Sequence, residues 1–290
     1  MKRHLSKIVR ALVPGWVRAA AKERVTRRYY RLPLVASGNC VVSETGETLA
    51  ASFDGVRLVV PMVAKRDVEG IVTESLAAHE VAAICAAAGK GGRLLDIGGH
   101  RGLVSGFYCA GDPTARAWCF EPSPPLAESC RTLATLNGFG GRMQVCQVAL
   151  GPKPGRQTML FDPVGGYVQV KRYEHTMWSE PQSIELVVET LDQFCAREDV
   201  APTLVKIDVE GYEGEVLAGA GEMLRTLRPV LLVELHLAFL EDRGVGPMDV
   251  LRPLQEAGYR FSLLDGRPIS LSQVCGCPLA RVHFFARPKA

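Results

Sequence analysis

Apolar runs separated by helical patterns dominate the chain from residue 92 onwards. Each run is almost entirely apolar, which is typical of strands buried on both faces of a parallel sheet. We predict five such strands, at Arg93–Ile97, Ala117–Phe120, Met143–Leu150, Leu204–Val209 and Val230–Glu234. Helices are predicted between or after them, at Pro125–Leu136, Gly214–Leu227 and Met248–Ala257. The alternation favours an α/β fold with a mostly parallel sheet that helices cover on both faces.

Two further strands are predicted near the C-terminus, at Tyr259–Leu264 and Arg281–Ala286. The stretch between them is rich in turn residues and fits no helix, so we expect the two strands to pair antiparallel at one edge of the sheet. The complete sheet would then have seven strands.

The N-terminal part follows a different pattern. Residues 40–62 alternate apolar and polar side chains around turn signals at Thr45-Gly46 and Asp54-Gly55, which predicts short strands joined by tight turns. An alanine-rich helix is predicted over Ser75–Ala88. We therefore divide the chain into an appendage, residues 1–70, with a helix and β-hairpin, and a main domain, residues 71–290.

Composition narrows the class of protein. With 290 residues, of which 47% are hydrophobic, the chain can bury the core of one large domain. Its apolar runs are shorter than the roughly 18 residues of a membrane span. The 9 cysteines lack the paired CxxC pattern of a zinc site, and several lie in apolar segments as free thiols would. We expect a reducing, cytoplasmic location.

Basic residues are concentrated at the N-terminus. Residues 1–31 contain ten Lys or Arg and one acid, a balance of +9 in a chain of net charge +3, so the remainder carries −6. Apolar residues at near-helical spacing between these cations predict an amphipathic basic helix. It would either pack on the domain or bind the inner face of a membrane peripherally; nucleic acid is the least favoured partner.

Carboxylates follow two of the predicted strands, although acids are seldom buried without a partner. Asp208 and Glu210 end the fourth strand, and Glu121 ends the second. In an open parallel sheet, ligands bind beyond the carboxyl ends of the strands, where the strand order reverses. Glu121 lies 25 residues after Asp96, a spacing that suits an acid accepting both ribose hydroxyls of an adenosine. These acids are therefore predicted to line a binding site.

The first strand runs into the glycine-rich turn LLDIGGHRG, which contains Asp96, Gly98, Gly99 and Gly102. Glycines in a strand-to-helix turn let the backbone approach a ligand closely, and Asp96 favours an ammonium or hydroxyl over a phosphate. An ordinary tight turn is the alternative. The GxGxxG spacing of nicotinamide-dependent oxidoreductases is absent here, which argues against that enzyme class.

Glu234 and His236 lie two residues apart at the end of the fifth strand, so both can face the substrate. Histidine is a natural proton acceptor at neutral pH, and we predict His236 as the general base, with Asp208 and Glu234 as further catalytic residues. The alternative for His236 is a histidine that caps the strand through a hydrogen bond. Together with Glu210 these groups could also hold magnesium. Alternatively, amides at the start of the Gly214 helix could satisfy the carboxylates. We assign no metal ligand from the sequence.

Other acidic and aromatic residues are given minor roles. Glu213 and Glu215 are assigned to the start of the helix and to no chemistry, and Glu80 is expected on a solvated helix face. Tyr167, His175 and Trp178 lie in an irregular stretch, residues 151–190, that could form a lid.

Several segments together resemble the FkbM family of S-adenosylmethionine-dependent methyltransferases. They are DIGGHRG, FEP, LATLNG, VALGPKPG, ETLDQF, VKIDVEGYEGEVLAGA and RPVLLVELH, spread over about residues 75–265 in the family's order. The resemblance implies a class I, Rossmann-like methyltransferase fold and O-methylation of a small molecule, sugar or glycan. It also implies that Asp96, Gly98 and Gly102 frame the cofactor's methionine end and that Glu121 holds the ribose. We predict Gly99 and Asp208 as further cofactor-binding residues.

Two functions from different classes remain open at this stage. The first is an O-methyltransferase that uses S-adenosylmethionine. The second is a non-catalytic, methyltransferase-like domain that its basic N-terminus, residues 1–31, recruits to a membrane surface or a partner.

Overall fold

An eight-stranded sheet forms the centre of the computed structural model, which describes residues 24–26, 29–30, 40–73, 75–171 and 180–289. Its spatial order is β14-β13-β15-β12-β11-β4-β5-β6. The strands are β4 (Arg93–Ile97), β5 (Arg116–Phe120), β6 (Met143–Cys146), β11 (Leu204–Ile207), β12 (Val230–Leu235), β13 (Tyr259–Ser262), β14 (Pro268–Ile269) and β15 (Val282–Pro288). Strands β6, β5, β4, β11 and β12 are parallel, as predicted. The order reverses between β4 and β11, so their carboxyl ends flank one crevice.

Two details of the predicted sheet are corrected. The sheet has eight strands instead of seven because the two-residue β14 pairs with β13. The antiparallel strand β15 lies between β12 and β13 instead of at the edge. The helix before β13 carries the chain past β12 and leaves a gap that β15 fills.

Nine α-helices complete the fold of residues 40–289 as far as the structure describes them, together with a 3₁₀ turn at Met62–Ala64 and a π-helix at Met223–Leu227. They are α1 (Lys65–Thr73), α2 (Ser75–Ala88), α3 (Leu103–Gly111), α4 (Pro124–Leu136), α5 (Leu191–Glu198), α6 (Glu213–Ala218), α7 (Leu237–Arg243), α8 (Pro247–Glu256) and α9 (Leu271–Cys275). Successive strand residues face opposite sides, so Leu94 packs with Phe107 and Leu133 while Leu95 packs with Phe194 and Leu217. Both faces of the sheet are covered, as the apolar strands predict. None of these helices is long and apolar enough to cross a membrane.

The predicted hairpins form a separate three-stranded antiparallel sheet of β1 (Cys40–Thr45), β2 (Thr48–Phe53) and β3 (Val56–Pro61). Leu58 of β3 shares a core with Phe107. Asn137 accepts a hydrogen bond from the Val59 amide at 2.8 Å and donates one to its carbonyl at 2.6 Å. This sheet is therefore fixed to the larger domain. The basic helix predicted within residues 1–31 lies largely outside the described residues.

A third sheet stands over the carboxyl edge of the large one. It consists of β7 (Ala149–Leu150), β8 (Gly155–Phe161), β9 (Val168–Gln169) and β10 (Gln182–Glu189), in the order β7-β10-β8-β9. The predicted strand Met143–Leu150 is thus split, because the chain leaves the large sheet after Cys146. Much of residues 151–190, the stretch expected to be irregular, forms the antiparallel pair of strands β8 and β10. His175 and Trp178, which were predicted in a lid, lie outside the described residues. Eight of the cysteines are free thiols, as the sequence analysis expects.

Candidate active site

A cavity of about 310 Å³ opens at the point where the strand order reverses. Ile97 and Phe120 line it from the ends of β4 and β5, and Met159 and Val168 line it from the third sheet. Tyr167, predicted in a lid, lines it and stacks on the His100 ring with 5.3 Å between ring centroids. Besides His100, Tyr167 and Tyr212, its polar lining groups are Asp67, Glu121, Gln169, Asp208 and Glu210. The cavity therefore combines an apolar body with carboxylates, the usual composition of a small-molecule site.

The glycine-rich turn after β4 is shaped by contacts within the chain. A Cβ on Gly98 would lie 1.8 Å from the Asp208 carbonyl oxygen, and one on Gly99 would lie 2.1 Å from Cys119 Sγ. Gly102 has a φ of 78° where α3 begins, a conformation that favours glycine. Of these three predicted cofactor residues, Gly98 belongs to the cavity wall, whereas Gly99 and Gly102 pack against Cys119 and Cys130.

Asp96 is fully buried one layer behind the cavity. Its Oδ2 accepts a hydrogen bond from Ser105 Oγ at 2.7 Å, and burial raises the pKa of the carboxyl. The strand register pairs Asp96 with Lys206 of β11. Asp96 therefore supports the turn and the neighbouring charges from inside the sheet.

Glu121 occupies the predicted position at the end of β5 and is 6% exposed. Its Oε1 accepts from the Ser123 amide and its Oε2 from the His100 amide, both at 2.9 Å. Burial raises the pKa of Glu121 to about 8. Because a carboxylate oxygen can accept more than one hydrogen bond, both oxygens keep acceptor capacity for a ligand in the cavity.

Asp208 and Glu210 meet the cavity at the end of β11, with side chains 26% and 34% exposed. Glu210 has a φ of 54°, a left-handed conformation that is uncommon for a residue other than glycine and that clusters at functional sites. Lys206 Nζ, buried inside the strand, lies 3.0 Å from Asp208 Oδ2. Burial lowers the pKa of Lys206, but Asp208 and Glu80 outweigh it and the net change is a rise. Lys206 is thus a buried ammonium that holds Asp208 in place.

His236 and Glu234 face the same cluster, as their spacing predicts, but both are nearly completely buried behind Asp208 and Glu210. His236 Nδ1 lies 2.7 Å from Glu213 Oε1. Its Nε2 lies 3.5 Å from Glu234 Oε1, 3.8 Å from Asp208 Oδ1 and 3.9 Å from Glu210 Oε1. Burial lowers the pKa of His236, but the bond to Glu213 and the other carboxylates raise it overall to about 10.

Glu213 is the main residue that the sequence analysis misjudged. It does begin helix α6, as assigned, but its side chain is fully buried between the Gly211 amide and His236. Glu80, expected in solvent, is also buried, with Oε1 3.9 Å from Lys206 Nζ. Their partners come from distant elements, so local pattern could not find them. A usable signal was Lys206 itself, a cation inside an apolar strand.

Arg281, which directly precedes β15, and His283 within β15 complete the group, and their role was not predicted. Arg281 Nη1 lies 2.8 Å from Glu234 Oε1, and His283 Nε2 lies 3.4 Å from the same oxygen. The strand register sets Glu234 and His283 directly opposite each other. The last strand therefore supplies positive charge to the buried side of the cluster.

Comparison with known proteins gives a family match over most of this region. The profile of the Methyltransferase FkbM domain matches residues 96–261, more than half of the chain. A curated relative, 2-O-methyltransferase NoeI of Sinorhizobium fredii (strain NBRC 101917 / NGR234), is 29% identical over 151 residues, 47% of this chain and 60% of the relative. The chain thus spans less than two thirds of that relative.

Solved methyltransferases with a similar arrangement match at low scores. The Methyltransferase FkbM from Methylobacillus flagellatus KT has a TM-score of 0.42 and 15% identity, over 77% of this chain and 54% of that chain. The Mitomycin 7-O-methyltransferase MmcR has a TM-score of 0.33 and 16% identity, over 77% and 57%. At these scores we take no functional argument from them. The predicted Rossmann-like methyltransferase fold is confirmed by the strand order together with the profile match.

Proposed function

The chain belongs to the methyltransferase FkbM domain family, and from that premise we propose that it transfers a methyl group from S-adenosylmethionine to a hydroxyl of a small molecule, sugar or glycan. The observation that carries the proposal is the cavity where the strand order reverses, with Glu121 on one wall and Asp208 and Glu210 on another. The name of the relative, a 2-O-methyltransferase, supports an oxygen acceptor.

The residues of the cavity fit S-adenosylmethionine. Glu121 is held by two backbone amides and can still accept both ribose hydroxyls. Phe120 and Leu126 offer apolar surface for an adenine ring. Gly98, which has no side chain, exposes backbone atoms at the cavity wall, where a ligand can approach them closely. Asp208 and Glu210 supply negative charge that suits a sulfonium. We infer that Gly99, Gly102 and Asp96 contribute by fixing this turn, without reaching the cofactor themselves.

S-adenosylmethionine, when bound, supplies a methyl group on a positively charged sulfur, so that the new C–O bond forms as the C–S bond breaks and the electron pair stays on sulfur. The acceptor hydroxyl must lose its proton in this exchange. Glu210 lines the cavity and has a left-handed backbone conformation of the kind that clusters at functional sites, so we assign it as the proton acceptor. His236 and Glu234, predicted as catalytic, lie behind Asp208 and Glu210 and are assigned a positioning role.

The charge of the cavity favours a neutral or cationic acceptor. Within the described residues, its lining includes several carboxylates and neither Lys nor Arg. An acceptor that carries a phosphate or carboxylate close to the reacting hydroxyl would be repelled. Neutral sugars and glycans meet this condition.

Transfer of a labelled methyl group tests the proposal. The full chain is incubated with S-adenosylmethionine carrying a radioactive methyl and with neutral sugars, oligosaccharides and hydroxylated small molecules. We expect label in at least one hydroxyl acceptor, and no label with the same acceptor after its hydroxyls are acetylated. Label found only on nitrogen or carbon acceptors would contradict O-methylation.

A further inference from the structure

The Nε2 atom of His236 is buried in an acidic environment without a hydrogen bond. His236 is 5% exposed, and none of the described residues gives its Nε2 a hydrogen-bond partner. The other ring nitrogen, Nδ1, is committed to Glu213 Oε1 at 2.7 Å. A histidine that donates Nδ1–H to a carboxylate usually binds a metal through Nε2, and here the ion would displace the proton that the raised pKa of His236 keeps on the ring.

Three carboxylate oxygens surround this nitrogen at similar distances. They belong to Glu234, Asp208 and Glu210 and lie between 3.5 and 3.9 Å from Nε2. These distances are too long for hydrogen bonds. Two atoms that bind one ion tetrahedrally at roughly 2.1 Å lie about 3.4 Å apart. The spacing of the cluster is therefore close to that of ligands around a shared ion.

The charges of the cluster call for a cation. Five carboxylates, those of Glu80, Asp208, Glu210, Glu213 and Glu234, lie within one connected group of contacts, in which the permanent cations are Lys206 and Arg281. Backbone amides at the start of helix α6 were the alternative partners for these carboxylates. Among the described residues, Glu213 is the one carboxylate of the five that accepts a hydrogen bond from such an amide, that of Gly211. A divalent ion would offset most of the remaining negative charge.

We propose that Asp208, Glu234 and His236 bind one divalent transition-metal ion, with Glu213 orienting His236 from behind. The ligand atoms of these three residues lie within 4.8 Å of one another. Lys206 binds Asp208 through Oδ2 and leaves Oδ1 facing His236. Arg281 contacts Glu234 through Oε1, the oxygen that also faces His236, and a carboxylate oxygen keeps a second lone pair for an ion. Because a nitrogen ligand joins the carboxylates, manganese or zinc suits the set better than the magnesium considered from the sequence.

The role of the ion rests on the proposed methyl transfer. Asp208 is the ligand that also lines the cavity, so an ion held by it would lie next to the place proposed for the acceptor. An ion there polarises the acceptor hydroxyl and directs its oxygen, while Glu210 takes the proton. The hydroxyl proton moves to Glu210 and the ion keeps its charge, so the exchange stays balanced.

A second histidine nearby provides a rival site. Glu80, Glu234 and His283 also bring three ligand atoms together. However, His283 has no hydrogen bond within the described ranges that would fix either ring nitrogen, and it is 2% exposed, away from the cavity. Variants of the two histidines separate the two sites.

The test uses the full chain, stripped with a chelator and dialysed, and follows binding of Mn²⁺ alone through loss of the electron paramagnetic resonance signal of the free ion, with Zn²⁺ as competitor. We expect about one Mn²⁺ per chain, no binding in His236→Ala, and roughly 10- to 100-fold weaker binding in the isosteric Glu213→Gln. His283→Gln and the surface control Glu128→Gln should bind as the wild type does.

Several outcomes would overturn the proposal. Folded wild type that binds neither Mn²⁺ nor Zn²⁺, undiminished binding in both His236→Ala and Glu213→Gln, or loss in His283→Gln with His236→Ala intact would each do so. Titration of the same samples with S-adenosylhomocysteine separates the two claims. If this ligand binds and the metals do not, the metal site is wrong and the methyltransferase function stands; if it does not bind, the function itself fails.

Discussion

Glu213 Oε1 lies 2.7 Å from His236 Nδ1, and both side chains are buried at the back of the carboxylate cluster. The contact joins the first turn of helix α6 to the end of β12. It also determines which nitrogen of the ring faces Asp208, Glu210 and Glu234. Glu213, which the sequence analysis assigned only to the start of a helix, therefore fixes the orientation of the buried His236 ring.

Replacing Glu213 tests the structural value of this contact. Glu213→Ala leaves the buried ring without its partner, so we expect the free energy of unfolding to fall by about 3 kcal/mol. Glu213→Gln keeps an oxygen that can accept from Nδ1–H and should lose about 1 kcal/mol. Urea denaturation followed by circular dichroism measures both, with Glu128→Ala on the surface as the control. Equal losses for Ala and Gln would contradict a hydrogen-bonding role.

Lys206 is expected to be as important for stability as any apolar core residue. Lys206→Met fills a similar volume but leaves Asp208, Glu80 and Asp96 facing each other without the ammonium, and we expect a loss of about 3–5 kcal/mol. Lys65→Met, which removes an exposed ion pair with Glu44, should leave the free energy of unfolding almost unchanged. Denaturant unfolding of both variants measures the difference. A similar, small effect in both would show that the buried cluster is not ionised.

We predict that any side chain at Gly98 destabilises the fold, because it would collide with the backbone of Asp208. Gly98 and Gly138 both have left-handed φ values, 81° and 64°, but a Cβ meets the Asp208 carbonyl at Gly98 and nothing within 4 Å at Gly138. Gly138→Ala should therefore show only the backbone strain of about 1–2 kcal/mol. Gly98→Ala should lose at least about 2 kcal/mol more and displace Asp208. Thermal unfolding compares the two, and equal losses would contradict the predicted clash.

The raised pKa of Glu121 predicts a pH dependence of stability. An acid whose pKa rises from its ordinary value to about 8 on folding binds more protons in the folded state. The free energy of unfolding should therefore fall as the pH rises from about 4.5 to 8, by roughly 3–5 kcal/mol from this group alone. Glu121→Gln should lose this part of the pH dependence, which denaturant titrations between pH 5 and 8 measure. An unchanged slope in the variant would show that Glu121 is ionised throughout.

Glu210→Gln tests the assignment of the proton acceptor. The amide keeps the size of the side chain but cannot take a proton, so we expect kcat for methyl transfer to fall by roughly 10²- to 10⁴-fold. The affinity for S-adenosylhomocysteine should stay within about twofold of the wild type. Glu185→Gln, on the exposed face of β10, is the matched control. Retention of most activity by Glu210→Gln would move the role to Asp208.

The sequence predicts the frame of the site because its determinants are local. The parallel strands are apolar runs buried on both faces, and Glu121, Asp208 and Glu210 follow directly from where those strands end. The strands β7, β9 and β14 have two residues each and carry no periodicity, so the third sheet and the eighth strand could not be predicted. The contact between Glu213 and His236 spans 23 residues and the ion pair between Glu80 and Lys206 spans far more, and each depends on how elements pack.

The residues assigned to the glycine turn were predicted correctly as a turn, but for a different physical reason. Gly98 and Gly99 are required by the neighbouring Asp208 and Cys119, which come from adjacent strands. Sequence pattern identifies a glycine that needs room. It does not identify the atoms that approach it.

Calorimetric titration of the purified wild-type protein with S-adenosylhomocysteine is the measurement to make first, with NAD as the control ligand and Glu121→Ala as the control variant. We predict saturable binding of one molecule per chain, at least about tenfold weaker in Glu121→Ala, since a buried hydrogen-bonding partner of the ribose is lost, and no binding of NAD. Folded wild-type protein that does not bind S-adenosylhomocysteine, or that binds it equally well without the Glu121 carboxylate, would contradict the assignment of this cavity as the cofactor site.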